Sequence, residues 1–277
     1  MTRKKRWMMA AVLAVIVLLA MIALDARLMV RRYSVEADPI ASPIRIALVT
    51  DLHSCRYGEN QRELTSAIAE ENPDILLLGG DIFDDRIDDT GTAEFLAAIA
   101  GKYPCYYVTG NHEWWSGEVR FAEKMAILAE HGIPVLAGEW ETLTVRGEQI
   151  NICGVDDPDG ARAGHAEAFE HQLAAAESAA ENGYYTVLLS HRPEYGEAYA
   201  ARDFDLVLCG HAHGGQWRIP LLLNGLYAPD QGLFPKFAGG HYTLGDTEMI
   251  VSRGLARETT VIPRIFNRPE LVIIDVK

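Results

Sequence analysis

Residues 206–215 read LVLCGHAHGG, a short apolar run that stops at Gly210 and is followed by two histidines one residue apart, His211 and His213. An apolar run containing β-branched Val207 and bounded by glycine has the pattern of a buried strand. Gly214 and Gly215 then let the backbone turn sharply beside whatever the imidazoles hold. The stretch reads as a strand that delivers metal ligands. One His-x-His decides little by itself, but four other apolar runs end in similar chemistry: Asp51-Leu52-His53, Gly80-Asp81, Gly110-Asn111-His112 and Ser190-His191. Five strand ends are expected to converge on one site.

Working outward, residues 44–49 form the first strand of a β-α-β rhythm, with helical spacing over 59–71 and a continuous apolar strand over 74–78. The rhythm repeats with a helix near 92–100, a strand over 105–108 and a helix over about 119–130 that Gly132 caps. Residues 142–145 and 149–153 alternate around Gly147-Glu148, which predicts a β-hairpin and the start of a second sheet. An Ala-rich helix over 165–180 stops at Asn182-Gly183 and feeds a strand over 185–189. Residues 242–251, around Gly245-Asp246, and 271–276 are strand-like again. Helix-alternating strands beside hairpin-joined strands predict an α/β domain of two packed mixed β-sheets flanked by helices.

The first 43 residues are different in kind. Residues 8–24 carry no charge, are preceded by Arg3-Lys4-Lys5-Arg6 and are followed by Arg27, Arg31 and Arg32. About 17 residues is the lower limit for crossing a bilayer, and Arg27 can snorkel to extend the span. The run exceeds the h-region of a cleaved signal peptide and no small-x-small site follows, so an uncleaved single-pass anchor is expected. The expected organisation is a basic N-terminus and transmembrane anchor over 1–32, a linker over 33–43 with two prolines, and one domain over 44–277. The tighter basic cluster at the N-terminus points to a domain on the outer face of the cell membrane. Four cysteines without CxxC spacing read as buried thiols, which sit more comfortably in the cytosol, so the two cues oppose one another.

The net charge of −14 is uneven: residues 1–32 carry +6 and the remainder −20. So acidic a domain repels phosphate backbones, which argues against bulk nucleic acid as a partner. Discrete phosphorylated substrates are compatible with it once cations are bound.

Asp51, His53, Asp81, Asn111, His191, His211 and His213 together supply oxygen and nitrogen donors with no thiolate among them, a mixture suited to Mn²⁺, Fe or Zn²⁺. The order D-x-H, G-D, G-N-H, a lone His and G-H-x-H resembles the calcineurin-like metallophosphoesterase superfamily from about residue 44 onward. Gly210 to Gln216, Val251-Ser252-Arg253-Gly254-Leu255 and Asn267-Arg268-Pro269-Glu270 resemble its membrane-anchored bacterial branch, which includes phosphodiesterases and UDP-2,3-diacylglucosamine hydrolases. The resemblance implies the α/β/β/α sandwich of that family and two divalent metal ions. Asp51, His53, Asp81 and His213 would hold the first, and Asp81, Asn111, His191 and His211 the second. It also implies His112 as the acid that protonates the leaving oxygen, Asp84 as the carboxylate orienting His112, and attack by a metal-activated hydroxide.

Two positions depart from the pattern. Some branches carry Arg directly after the second carboxylate of G-D-x-x-D, where this chain has Asp85 and then Arg86, so no phosphate-clamping role is given to Arg86. Glu113 stands where the family has Asp after G-N-H. His131, His165, His171 and His241 read as structural or exposed. Trp114 and Trp115 fit either a pocket wall or packing. The apolar loop from Leu221 to Phe237 fits either a cover over the core or a ledge for a lipid-linked substrate.

The expected function is a membrane-anchored phosphoesterase cleaving phosphodiester or pyrophosphate bonds, with a lipid or cell-envelope intermediate as the candidate substrate. The alternative is a catalytically inactive, metal-binding scaffold of the same fold; such a member would have lost ligands or the acid histidine, and this chain keeps all of them. A metallo-β-lactamase type of hydrolase would need H-x-H-x-D-H, a run absent here.

Overall fold

Alternation along the central strands creates the layers. The computed structural model describes residues 2–38, 40–164, 166–257 and 262–277. A long helix α1 (Arg3–Ala23) precedes β1 (Met29–Val35) and β2 (Ile44–Val49). Helices and strands then alternate through α2 (Arg62–Glu71), β3 (Ile75–Gly79), α3 (Thr90–Ile99), β4 (Cys105–Val108), the short α4 (Asn111–Trp115) and α5 (Glu118–Glu130). The hairpin of β5 (Trp140–Val145) and β6 (Glu148–Gly154) is followed by α6 (Pro158–Arg162), α7 (Phe169–Glu177), β7 (Tyr185–Leu189), α8 (Gly196–Ala200) and β8 (Leu206–Cys209). A small ribbon of β9 (Tyr227–Ala228) and β10 (Gly232–Leu233) leads to β11 (Gly240–Leu244), β12 (Thr247–Val251) and β13 (Glu270–Val276).

Two mixed sheets result, ordered β1-β13-β2-β3-β4 and β11-β12-β8-β7-β6-β5. Strands buried on both faces point successive side chains to opposite layers. Ile46, Leu48, Ile75 and Leu77 of the first sheet therefore meet Val187, Leu189, Leu206 and Leu208 of the second in one shared core. The intervening Ala47, Val49, Leu76 and Leu78 face Leu64, Ile68, Phe95 and Leu128 of the outer helices α2, α3 and α5. On the opposite side Leu188, Val207 and Cys209 pack against Leu173 and Tyr199 of α7 and α8. The layers run α/β/β/α, as the sequence predicts. Because β2, β3 and β4 are parallel, as are β6, β7 and β8, their C-terminal ends lie together along one rim.

The boundary expected at residue 44 falls elsewhere. Residues 29–35, divided in the sequence reading between anchor and linker, form an edge strand paired in parallel with β13 from Met29↔Glu270 to Val35↔Val276. Ala37 and Ile40, within the expected linker, are buried. Within this basic run, Met-Val-Arg-Arg-Tyr-Ser-Val, Glu71, buried at the end of α2, accepts both Nε and Nη2 of Arg32. The helix expected over 165–180 is shorter, beginning at Phe169 and continuing past Glu177 as one 3₁₀ turn, Ser178–Asn182; His165 lies outside the described residues. α1 has no buried side chain, and its last residue, Ala23, accepts a hydrogen bond from Phe266 N–H at 2.7 Å.

Candidate metal centre

The rim gathers all seven predicted ligands. Asp51 and His53 leave the end of β2, Asp81 follows β3 by one glycine, and Asn111 opens α4 beyond β4. From the second sheet, His191 follows β7, and His211 and His213 follow β8. Five of the seven, Asp51, His53, Asp81, His211 and His213, hold positive φ. For residues other than glycine that conformation costs roughly 1–3 kcal/mol each and persists only where the surroundings enforce it. Here it turns the side chain at each strand end toward the common centre.

Packing among these loops leaves no spare room. A Cβ on Gly80, itself at φ +84°, would lie 2.6 Å from His191 Nδ1, and one on Gly110 would lie 2.2 Å from Asp81 Oδ1. Glycine at position 80 lets the loops of the two sheets touch, and glycine at position 110 lets the loops after β3 and β4 do so.

The donors form two groups. Asp51, His53 and His213 offer atoms within 4.8 Å of one another, and Asp81, His191 and His211 do the same. Asp81 lies between them, its Oδ2 3.6 Å from His53 Nε2 and 3.1 Å from His191 Nε2. Several of these atoms are buried yet make no hydrogen bond: Asp51 Oδ2, His53 Nε2, Asn111 Oδ1 and His213 Nδ1. Unpaired polar atoms inside a protein each cost about 1–3 kcal/mol, and three of these four belong to the one donor group of Asp51, His53 and His213, a place suited to a cation. The donor set therefore fits divalent metal ions.

Electrostatics agree. Burial pushes the Asp81 carboxyl up, but His191, His112 and His53 outweigh it and hold the group ionised, well below its usual value. His191 is pressed down by burial and raised more strongly by Asp81, to about 10. Burial, reinforced by His53, drives His213 well below its ordinary value, leaving a neutral imidazole. Proton and cation compete for the same nitrogen at His191.

The supporting contacts fix the tautomers. His191 Nδ1–H donates to Gly79 O at 2.8 Å, and His53 Nδ1–H to Asp84 Oδ2 at 3.1 Å, so each ring presents Nε2 to the centre. His211 N–H donates to Asp51 Oδ1, and His112 N–H to Asp81 Oδ1, both at 2.9 Å. Buried Glu113 ties two ligand loops together, accepting from the N–H groups of Asp81, Phe83 and Gly110 and from Tyr107 Oη.

Asp84 does not occupy the place expected of it. Its Oδ1 accepts from Arg86 N–H and Ile87 N–H, and its Oδ2 is directed to His53. The carboxylate against His112 is Asp85, whose Oδ1 accepts from His112 Nδ1–H at 2.6 Å, while Asp84 stands 3.7 Å away. The turn closed by Asp84 leaves it one free oxygen, and His53 takes that oxygen. Trp114 is a packing residue, stacked on Phe121 at 3.9 Å, whereas exposed Trp115 has its ring 4.9 Å from that of His112.

Sequence reasoning missed Arg192. It is buried beside the second donor group, forked onto Asp157 and with Nη1 3.2 Å from His211 Nε2. Asp230, from the loop between β9 and β10, contacts both Arg192 and His211. An arginine directly after a predicted ligand was the available signal for the first; nothing local marks Asp230.

A two-sheet α/β domain with clustered candidate metal ligands on its strand-end rim is the class that fold and site define. Residues 44–215 match the family model described as calcineurin-like phosphoesterase. The chain belongs to that family, whose members use a dinuclear divalent metal centre, and is a metal-dependent phosphoester hydrolase. An uncharacterized metallophosphoesterase of Aquifex aeolicus is 30% identical, over 90% of this chain and 92% of its own length. Phosphodiesterase YaeI of Escherichia coli is 27% identical, over 85% and 83% respectively. Among solved structures, the NAD nucleotidase of Haemophilus influenzae superposes with a TM-score of 0.54 at 19% identity, covering 78% of this chain and 46% of that one, a likeness of fold.

Proposed function

We infer that the protein is a membrane-anchored phosphoesterase that cleaves phosphodiester or pyrophosphate bonds, with His112 as general acid. The observation that carries the reading is the set of buried, unpartnered donors at the junction of the two sheets, beside His112, whose Nδ1 is already taken by Asp85. Asp51, His53, Asp81 and His213 would hold one cation of Mn, Fe or Zn, and Asp81, Asn111, His191 and His211 a second. Two such cations lower the pKa of water and neutralise charge on phosphoryl oxygens.

The remaining steps belong to this chain. With Nδ1–H donated to Asp85, the His112 ring is held in one orientation and Nε2 is left for the substrate side, where it gives a proton to the departing oxygen. Asp85 is a positioning residue, a role the family pattern would give to Asp84. Asp84 instead orients the ligand His53. A phosphodiester reading is favoured by the similarity to phosphodiesterase YaeI over most of both chains.

The anchor rests on α1, a 21-residue helix whose most apolar 18-residue window has a mean hydropathy of 2.3. At 1.5 Å per residue it is roughly 30 Å long, the thickness of a bilayer core. A substrate held in the membrane, a lipid or envelope intermediate, suits a domain joined to its helix by only residues 24–28. The test is hydrolysis of bis(p-nitrophenyl) phosphate beside p-nitrophenyl phosphate by the full chain in detergent, stripped of metal and then given Mn²⁺, Zn²⁺ or Mg²⁺ separately. Diester cleavage restored by metal is expected; two bound metals with no turnover of either ester would overturn the reading in favour of a scaffold.

A further inference from the structure

A cavity of about 550 Å³ opens beside β1, between the segments that follow β8 and β12. It is lined by Arg31 of β1, Arg253 just after β12 and Arg218, which follows the metal-centre loop of β8, together with Ile219, Leu221 and Leu222. Among the described residues, Arg253 and Arg31 pair with one buried carboxylate, Glu270, whose Oε2 is 3.3 Å from Arg253 Nε and 3.9 Å from Arg31 Nε. Both Nε atoms are buried without a hydrogen bond. Among the described residues, Arg218 donates to neutral oxygens, Gly214 O and Asn224 Oδ1. Burial, and then the charge of Arg253, lower its pKa to about 10. Among the described residues three positive charges stand against one negative charge, which leaves the cavity in want of an anion. Guanidinium forks match phosphate oxygens in pairs.

The apolar part of the lining has the opposite need. Leu221 and Leu222 are 106% and 84% exposed, at the tip of a turn closed by the Ile219 and Leu223 main chains. Phe266 lines the same cavity and is bonded through its N–H to the last residue of α1. The cavity therefore lies at the level where the helix leaves the bilayer, provided that α1 spans it as inferred above. We propose that this cavity is a binding site for an anionic phospholipid, whose phosphate rests on Arg31, Arg218 and Arg253 and whose acyl chains lie along Leu221 and Leu222. Bound there, the lipid fixes which face of the domain lies against the membrane.

The proposal is tested with the full chain in a neutral detergent by native mass spectrometry, offering phosphatidylglycerol and phosphatidylcholine in equal amounts. A net charge-assisted contact worth about 1.5–3 kcal/mol predicts retention of phosphatidylglycerol roughly tenfold or more over phosphatidylcholine. Arg31→Gln combined with Arg218→Gln should abolish that preference, and Leu221→Ser with Leu222→Ser should weaken retention. Thermal melting of each variant checks that it is folded. A preference that survives the arginine changes would come from the basic residues 3–6 and would overturn the proposal. So would displacement of the lipid by millimolar inorganic phosphate with no effect of the leucine changes, the behaviour of a soluble-anion site. Failure of the anchor reading shows separately, as loss of flotation of the unaltered chain with phosphatidylcholine vesicles.

Discussion

The first sheet ends in two carboxylates, an amide and two imidazoles, Asp51, Asp81, Asn111, His53 and His112, whereas the second ends in imidazoles alone, His191, His211 and His213. Their supports differ as well. Side chains brace the first half: Glu113 joins two of its loops, Asp84 and Asp85 orient its histidines, and fully buried Lys124 donates to Asp84 O at 3.0 Å. The main chain does much of that work in the second half, through Gly79 O at His191 and the Asp51 contact to His211 N–H. Carboxylate ligands are concentrated on one sheet, and imidazole ligands on the other. Single substitutions should therefore have graded and separable effects on the first sheet.

The largest effect is expected where the halves meet. Asp81→Ala removes the oxygen that faces both His53 and His191, and should lower metal content, read by elemental analysis, together with turnover, by more than any other change considered. His112→Ala should leave the metal in place and cost about 10²–10⁴ in rate, the range for loss of a general acid. If the metal departs too, His112 belongs to the ligand set and the division drawn above fails.

A finer comparison sets the two adjacent carboxylates against each other. Asp85→Asn should lower turnover about 10–100-fold and shift the pH–rate profile while metal affinity holds. Asp84→Asn should instead weaken metal binding by a similar factor, through His53. Reversal of the two outcomes would restore Asp84 to the role the family pattern gives it.

The smallest effect is on stability. Burial raises the Asp156 carboxyl from 3.8 to about 6 even though Thr109 Oγ1 donates to it. Its folded form binds a proton more tightly than its unfolded form, so its contribution is most favourable below about pH 4, declines between 4 and 6, and stays low above. Asp156→Asn imitates the protonated state and should raise stability at pH 7 by about 1–3 kcal/mol, with little gain at pH 4, as denaturant titration at the two pH values would show.

Much of this site was legible in the sequence because a parallel strand buried on both faces is a continuous apolar run, and the polar residue that ends it stands out. The choice between Asp84 and Asp85 was not legible, since two neighbours in one turn differ only in where the backbone directs them, and Asp84 is captured by the N–H groups of Arg86 and Ile87. β1 was hidden for another reason. Residues 29–35 carry no strand-like alternation of their own and become a strand through β13, far away in the sequence. Asp230 reaches His211 from a loop whose path depends on the whole second sheet.

The pairing of β1 with β13 also constrains how the protein is made. About 240 residues separate the paired strands, so β1 leaves the ribosome long before its partner exists. At roughly 5–20 residues per second the wait is on the order of 10–50 s. During that interval an unpaired edge sits immediately beside the hydrophobic helix, and β2 also lacks its β13 neighbour. The first sheet closes only once β13 emerges, and arginines at positions 31 and 32 are well placed to keep the waiting strand from pairing with another chain.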